Sequence, residues 1–221
     1  DIQDKDIDAQ VKRTATRPLP SGEVTLQQAY IFLAAQIGVG FLVWLTLPND
    51  AKVVALLALP MVAAYPFMKR VTWWPQAWLG FTFNFGLLVG AATATSVTGA
   101  TVVLYLGLVC WTVAYDTIYA LQDREEDALV GVKSTARLFG DKVLTGIFVF
   151  QMAATALIFL GAYFAGAGRI GALLALGFLG HGMWQVSRLN NDRELPALSV
   201  FKSNVWLGVV LVGLLLVATL I

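Results

Sequence analysis

From Val71 to Tyr115 the chain carries no charged residue. A helix needs about 20 apolar residues to cross the roughly 30 Å hydrocarbon core of a bilayer, and inside it every backbone group must be satisfied within the helix. This stretch is therefore too long for one crossing. Over the whole chain 58% of residues are hydrophobic and 13% are charged, well below the roughly 25% charged residues of an ordinary soluble domain. These features predict an all-α, polytopic transmembrane bundle.

Uncharged runs elsewhere in the chain predict further crossings. The polar segment from Thr93 to Thr101 divides the longest run in two, and its second half is expected to continue through Asp116 to about Gln122. The sequence therefore predicts seven spans in a single domain, residues 1–221. The other five predicted spans are Leu26 to Leu47, Val53 to Met68, Val143 to Ala165, Ile170 to Ser187 and Ser203 to Ile221.

The positions of Lys and Arg predict the orientation of the bundle. These residues favour cytoplasmic loops, and a cytoplasmic start places all of them inside except Lys52 and Arg169. The same topology brings two acidic segments, residues 1–8 and 123–127, to the cytoplasmic face, where we expect them to meet.

Composition excludes some functions. A net charge of +1 offers no concentrated basic surface, so nucleic acid is not an expected partner. The single cysteine, Cys110, cannot form an internal disulfide. The chain begins with Asp and shows no signal-peptide pattern, which we interpret as a sequence whose front is missing.

The two acidic segments carry the clearest chemical pattern. Asp1, Asp4 and Asp8 are spaced i, i+3, i+7, so on a helix their carboxylates lie on one side. The second segment repeats the arrangement over a longer distance. Its members, spaced i, i+7, i+11, are Asp116, Asp123 and Asp127, with Tyr119 beside them.

Such carboxylates need a cation between them. Hard oxygen ligands suit Mg²⁺, which typically binds one or two carboxylates together with substrate phosphate oxygens. Asp116 lies about two turns inside an apolar span, where an ionisable group by default indicates a functional site. Basic residues follow each acidic segment, namely Lys12, Arg13, Lys133 and Arg137. Carboxylates for a metal and cations for an anion predict a diphosphate site.

These residues resemble a known family. The pattern D-x-x-D-x-x-x-D followed by "VKRTATRPLPSG", the segment "YPFMKR", and "YDTIYALQDREEDALVGVKSTARLFG" are similar to motif regions of the UbiA superfamily of intramembrane prenyltransferases. Within it, the closest resemblance is to the branch that prenylates 4-hydroxybenzoate. Family members have nine helices and a first motif N-D-x-x-D-x-x-x-D, so the resemblance implies that this chain lacks the Asn and the first two helices.

The resemblance also implies a reaction. It is the Mg²⁺-dependent transfer of a polyprenyl group from polyprenyl diphosphate to a ring carbon of 4-hydroxybenzoate, a step of ubiquinone biosynthesis in a bacterial or mitochondrial inner membrane. The site would face the cytoplasm or matrix, with membrane lipid as the surroundings. The implied metal ligands are Asp1, Asp4, Asp8, Asp123 and Asp127.

Other residues are weaker candidates. Tyr65, Tyr115 and Tyr119 lie near the cytoplasmic ends of spans and are candidates to face a carbocation or an aromatic ring. Arg70 is a candidate partner for an acid or a substrate carboxylate. Asn84 either contacts substrate or makes an interhelical hydrogen bond, and His181 is expected to be a packing residue.

Two alternatives remain open from the residues alone. A cation-coupled transporter would also place Asp116 in the membrane, but it predicts acids leading to both faces, and the outer side offers only Asp50. Other superfamily members use homogentisate, dihydroxynaphthoate, or haem or chlorophyll precursors as acceptors.

Overall fold

The structure, a computed structural model, describes residues 2–10, 14–191 and 197–218, with the side chains of residues 191 and 214–218 excepted. Within these ranges the chain forms helices and no strand, which confirms the predicted all-α class. The helices are α1 (Lys5–Asp8), α2 (Leu26–Thr46), α3 (Asn49–Val71), α4 (Pro75–Phe83), α5 (Phe85–Ala94), α6 (Gly99–Ala120), α7 (Arg124–Leu129), α8 (Thr135–Phe139), α9 (Val143–Phe164), α10 (Gly168–Asn191) and α11 (Ala197–Ala218).

The predicted membrane crossings agree with these helices. Six segments are long and apolar enough to span a bilayer, and α11 adds a seventh apolar helix whose stretch Ala197–Gly213 is shorter. Helices α4 and α5 together form the third crossing, and the predicted loop lies between Ala94 and Gly99. The protein is therefore an integral membrane protein.

Several helices extend beyond the uncharged runs that predicted them. Helix α3 includes Lys52, Lys69 and Arg70, and α11 begins at Ala197 rather than Ser203. An uncharged run marks only the hydrocarbon-facing part of a helix. The helix itself continues into the interface, where long cationic side chains reach water.

Local sequence explains where two of the spans begin. Thr25 caps α2 by accepting a hydrogen bond from the Gln28 backbone, while the Gln28 side chain accepts from the Thr25 N–H. Thr98 and Thr101 form the same reciprocal box at the start of α6. Such boxes satisfy amide groups that the first turn of a helix leaves without a partner.

The bundle is organised around α6, the helix with most buried residues, and α9. At Gly107 and Gly161 these two helices approach so closely that a Cβ would lie within 3.0 Å of the opposite helix. Nearer the predicted cytoplasmic end of α6, Ile118 of α6 packs with Ile147 of α9 and Val200 of α11. The packing fixes the end of α6, where Asp116 and Tyr119 lie.

The short helices α1 and α7 lie outside the six long apolar segments, next to the ends of α3 and α6, whereas α8 begins the segment Thr135–Phe164 that α9 completes. The Lys133 N–H donates to the Lys69 carbonyl at 2.9 Å, which joins the loop before α8 to the end of α3. The two acidic segments are carried by the short helices α1 and α7 and the residues just before them, and the loop that follows α7 is tied to α3.

Candidate functional site

A cavity of about 200 Å³ lies where the ends of α3 and α6 meet the short helices. Four carboxylates line it: Asp8 from the first acidic segment, Asp123 and Asp127 from the second, and Asp116 near the end of α6. The prediction that these segments meet, although far apart in sequence, is confirmed. Arg17, Lys69 and Lys133 also line it, so the cavity combines oxygen donors with cations.

The first acidic segment is held by ion pairs. Asp8 is 5% exposed, and its carboxylate accepts a hydrogen bond from Arg17 at 2.8 Å. Asp4 instead pairs with Lys69 at 2.7 Å and with Arg70 at 3.3 Å. The expected single stripe of carboxylates is therefore divided: Asp8 lines the cavity, and Asp4 reaches it only through Lys69. The reason is that α1 is a single turn, with Asp4 as its N-cap residue.

The second acidic segment keeps its carboxylates together. Helix α6 ends at Ala120, and a turn separates it from α7, which begins after Asp123. Even so, Asp116, Asp123 and Asp127 all line the cavity, together with Tyr119. The side-chain amide of Gln76 lies close to the Asp116 carboxylate in the same cavity.

The predicted phosphate-binding cations have different surroundings. The Lys133 ammonium lines the cavity and donates to the Val71 carbonyl at 3.1 Å. The Arg137 guanidinium donates to the carbonyls of Asp127 and Val132 and lies 5.3 Å from the centre of the Trp73 ring. Arg137 therefore stabilises the segment between Asp127 and Val132, and it does not line the acidic cavity. Lys12, Arg13 and the proposed metal ligand Asp1 lie outside the described residues.

The three candidate tyrosines lie close to the acids. Tyr65 and Tyr119 line the cavity together with Asp116. The rings of Tyr115 and Tyr119 both pack on Phe201 of α11, with centroids 5.8 Å and 4.8 Å away. The aromatic groups therefore form a wall that continues from the acidic cavity into the bundle.

Two other predicted residues form contacts between helices. The Asn84 amide donates to the Gly80 carbonyl and to Thr112 Oγ1, each at 2.8 Å, at the break between α4 and α5. This is the interhelical alternative, and Asn84 does not line the acidic cavity. His181 shares a hydrogen bond of 2.9 Å with Ser203 of α11, as expected for a packing residue.

The donor set fits a hard cation that binds together with a phosphate-bearing ligand. In the described part of the chain, no three His, Cys, Asp or Glu side chains converge to hold a metal ion by themselves. Mg²⁺ needs only one or two carboxylates when phosphate oxygens and water complete its shell. Asp8, Asp123 and Asp127 supply carboxylates around one cavity, and the cations beside them suit an anion.

Sequence reasoning missed Gln76, Lys69 and Arg17 as site residues. The motif segments do indicate Lys69 and Arg17: Lys69 stands in "YPFMKR" together with Tyr65, and Arg17 stands in "VKRTATRPLPSG", which follows the first acidic segment. Gln76 had a weaker signal: it is a polar residue directly after Pro75, at the first turn of an otherwise apolar helix.

Comparisons with known proteins agree with this geometry. The family model described as "UbiA prenyltransferase family" matches residues 1–208. A mitochondrial 4-hydroxybenzoate polyprenyltransferase of Drosophila pseudoobscura pseudoobscura is 42% identical, covering 96% of this chain and 54% of that protein. A 4-hydroxybenzoate octaprenyltransferase of Sodalis glossinidius (strain morsitans) is 40% identical, covering 98% of this chain and 75% of that protein. The chain spans about half the length of the first of these relatives.

A solved structure has the same fold. It is the apo structure of a UbiA homologue from Aeropyrum pernix K1, which superposes with a TM-score of 0.84 at 27% identity. The match covers 99% of this chain and 82% of that one.

Proposed function

We propose, because this chain belongs to the UbiA prenyltransferase family, that it transfers a polyprenyl group from polyprenyl diphosphate to the ring carbon beside the hydroxyl of 4-hydroxybenzoate. This reaction is a step of ubiquinone biosynthesis. The observation that carries the proposal is the cavity in which both acidic segments meet beside Arg17, Lys69 and Lys133. The names of the similar proteins support the choice of acceptor.

The diphosphate of the donor binds at the acidic cavity in this proposal. Lys133, Lys69 and Arg17 lie where they can neutralise phosphate oxygens, and cation-phosphate hydrogen bonds are stronger than neutral ones. Lys12 and Arg13 are proposed to add further positive charge. Four carboxylates in the same cavity would repel a diphosphate on their own, so a divalent cation has to bind with it.

The proposed ligands of Mg²⁺ are Asp1, Asp4, Asp8, Asp123 and Asp127. Bound there, Mg²⁺ would stabilise the negative charge of the departing diphosphate. Asp8, Asp123 and Asp127 line the cavity directly. Asp4 is paired with Lys69 and Arg70 and would exchange these partners to reach a metal.

The reaction breaks one bond and forms another. The allylic C–O bond of the donor breaks, and diphosphate leaves with the electron pair. The ring carbon attacks the resulting allylic cation to form a C–C bond, and loss of the ring proton restores aromaticity. Tyr65 and Tyr119 line the cavity and are proposed to stabilise the cation through their rings. The surrounding apolar helices exclude water, which would otherwise capture the cation.

The site is proposed to face the cytoplasm of a bacterium or the mitochondrial matrix. Lys69 and Lys133 lie at the cavity, while Lys52 and Arg169 lie in the first turns of α3 and α10, at the other end of the bundle. Loops rich in Lys and Arg favour the inner side of a membrane.

The reaction can be tested on the purified protein in liposomes. We expect product with polyprenyl diphosphate, 4-hydroxybenzoate and Mg²⁺, detected by mass spectrometry together with released diphosphate. Homogentisate and dihydroxynaphthoate serve as control acceptors. Chelation of Mg²⁺ should stop the reaction and its re-addition should restore it. Faster turnover of a control acceptor would contradict the proposed substrate, and full activity under chelation would contradict the metal.

A further inference from the structure

Gln76 is a buried amide on the wall of the acidic cavity. It is 5% exposed and lies at the second position of α4, directly after Pro75. Proline at a first helical position fixes the start of a helix, so the backbone of Gln76 is held in place. A buried polar side chain at such a point has to be satisfied by hydrogen bonds.

The side chain of Gln76 has one hydrogen-bonded partner and one close neighbour. Its Oε1 accepts a hydrogen bond from the backbone N–H of Thr135 at 2.9 Å. The close neighbour is the carboxylate of Asp116, which lines the same cavity and, when ionised, needs a hydrogen-bond donor beside it. An uncharged amide supplies an acceptor and a donor on one rigid group. A carboxylate or an ammonium group at this position would satisfy only one of the two partners.

Thr135, which donates to Gln76, is also linked to the cavity and to α6. Thr135 follows Lys133 and Ser134, both of which line the cavity. Its hydroxyl lies 2.6 Å from the hydroxyl of Thr117, the residue next to Asp116. The segment that carries the Lys133 ammonium is therefore fastened to α6 and to α4 at the same residue.

We propose that Gln76 is a positioning residue, which sets the distance between the Asp116 carboxylate and the segment carrying Lys133. It does not need to touch substrate. This inference rests on the proposed function, because it assigns the acidic cavity to the donor's diphosphate. Because the proposed function places the diphosphate at this cavity, we expect Gln76 to affect recognition of the donor and not of 4-hydroxybenzoate.

Two substitutions separate the two halves of the contact. Gln76→Met keeps the approximate size of the side chain and removes both the hydrogen bond to Thr135 and the donor beside Asp116. Gln76→Glu keeps an acceptor for the Thr135 N–H but places a second acid against Asp116. Loss of a hydrogen-bonding partner behind a site residue typically costs 10–100-fold in affinity or activity. For both variants we therefore expect a KM for polyprenyl diphosphate about tenfold higher, and an unchanged KM for 4-hydroxybenzoate.

Gln185→Met is the matched control. Gln185 is a buried glutamine, 1% exposed, which donates to the Val200 carbonyl at 3.1 Å and lies between α10 and α11, away from the acidic cavity. It should destabilise the bundle to a similar degree but leave both KM values at their wild-type level. A purely structural role for Gln76 predicts the same behaviour in Gln76→Met, because loss of folded protein lowers the apparent kcat without changing KM.

Binding of inorganic pyrophosphate with Mg²⁺, measured by titration calorimetry, gives a readout that needs no turnover. We expect a Kd about tenfold weaker in both Gln76 variants and an unchanged Kd in Gln185→Met. If wild type, Gln76→Met and Gln76→Glu bind pyrophosphate equally well, the positioning role is wrong, even if the prenyl transfer occurs. If wild type binds pyrophosphate but makes no prenylated product, the proposed reaction is wrong, and the Kd values still decide the role of Gln76.

Discussion

Gly161→Ala should destabilise the bundle by opening the contact between α9 and α6. A Cβ at residue 161 would lie 2.6 Å from Leu104 Cγ and 2.8 Å from the Leu104 backbone nitrogen. A rotamer change can move the leucine side chain but not the backbone nitrogen, so the two helices have to separate locally. Overpacking of this kind costs about 1–3 kcal/mol.

This cost can be measured as a change in thermal stability. For a domain of this size 1 kcal/mol corresponds to about 2–4 °C in Tm, so Gly161→Ala should lower the Tm by about 2–12 °C. Circular dichroism of the detergent-solubilised protein follows the loss of helix. Gly38→Ala in α2 is the control, because a Cβ there has nothing within 4 Å. Alanine favours a helix over glycine by about 1 kcal/mol, so the control should be neutral or slightly stabilising. Equal Tm changes in the two variants would refute the close approach of α6 and α9.

Two further substitutions test individual contacts. Arg17→Gln removes the ion pair between Arg17 and the nearly buried Asp8 carboxylate and should lower the free energy of unfolding by about 1–3 kcal/mol. The double variant Arg17→Gln/Asp8→Asn should regain most of the lost Tm. If it does not, the ion pair is not what holds this segment. Asn84→Leu removes the hydrogen bonds to Gly80 and Thr112 and should lower the free energy of unfolding by about 1 kcal/mol for each bond. The KM values for polyprenyl diphosphate and for 4-hydroxybenzoate should stay unchanged. A raised KM for 4-hydroxybenzoate at an unchanged Tm would instead assign Asn84 to substrate binding.

The spans could be predicted from the sequence because the membrane imposes a simple rule. A helix in hydrocarbon excludes charge over its whole crossing, so the uncharged runs located the seven helices. The same rule does not show where a helix ends in the interface, and α3 and α11 are accordingly longer than predicted. The break at Asn84 was also not predicted, because it depends on a side chain that bonds to α6.

The acids of the site could be predicted, but not their partners. Asp116, Asp123 and Asp127 are close in sequence and line one cavity, although α6 ends at Ala120 and the three acids do not share one helix as their spacing predicted. The separation of Asp4 from Asp8 depends on Lys69, Arg70 and Arg17, whose approach is a matter of tertiary structure.

Neutral residues and cations in loops are the residues whose roles are least predictable from the sequence. Gln76 has no charge and no motif of its own, and its importance follows only from its position beside Asp116 and its hydrogen bond to the Thr135 backbone. Arg137 was predicted from its position after the acids, whereas in the structure its guanidinium is used by two backbone carbonyls and the Trp73 ring.

The central claim is that the two acidic segments together bind the diphosphate of the donor. Its most direct test is prenyl transfer to 4-hydroxybenzoate by Asp123→Asn, compared with Asp141→Asn, which changes an exposed carboxylate outside the cavity. We predict a loss of at least about 100-fold for Asp123→Asn, the scale seen when one group that stabilises developing charge is removed. Asp141→Asn should keep wild-type activity, and both variants should remain folded. Turnover by Asp123→Asn equal to that of Asp141→Asn would contradict the account.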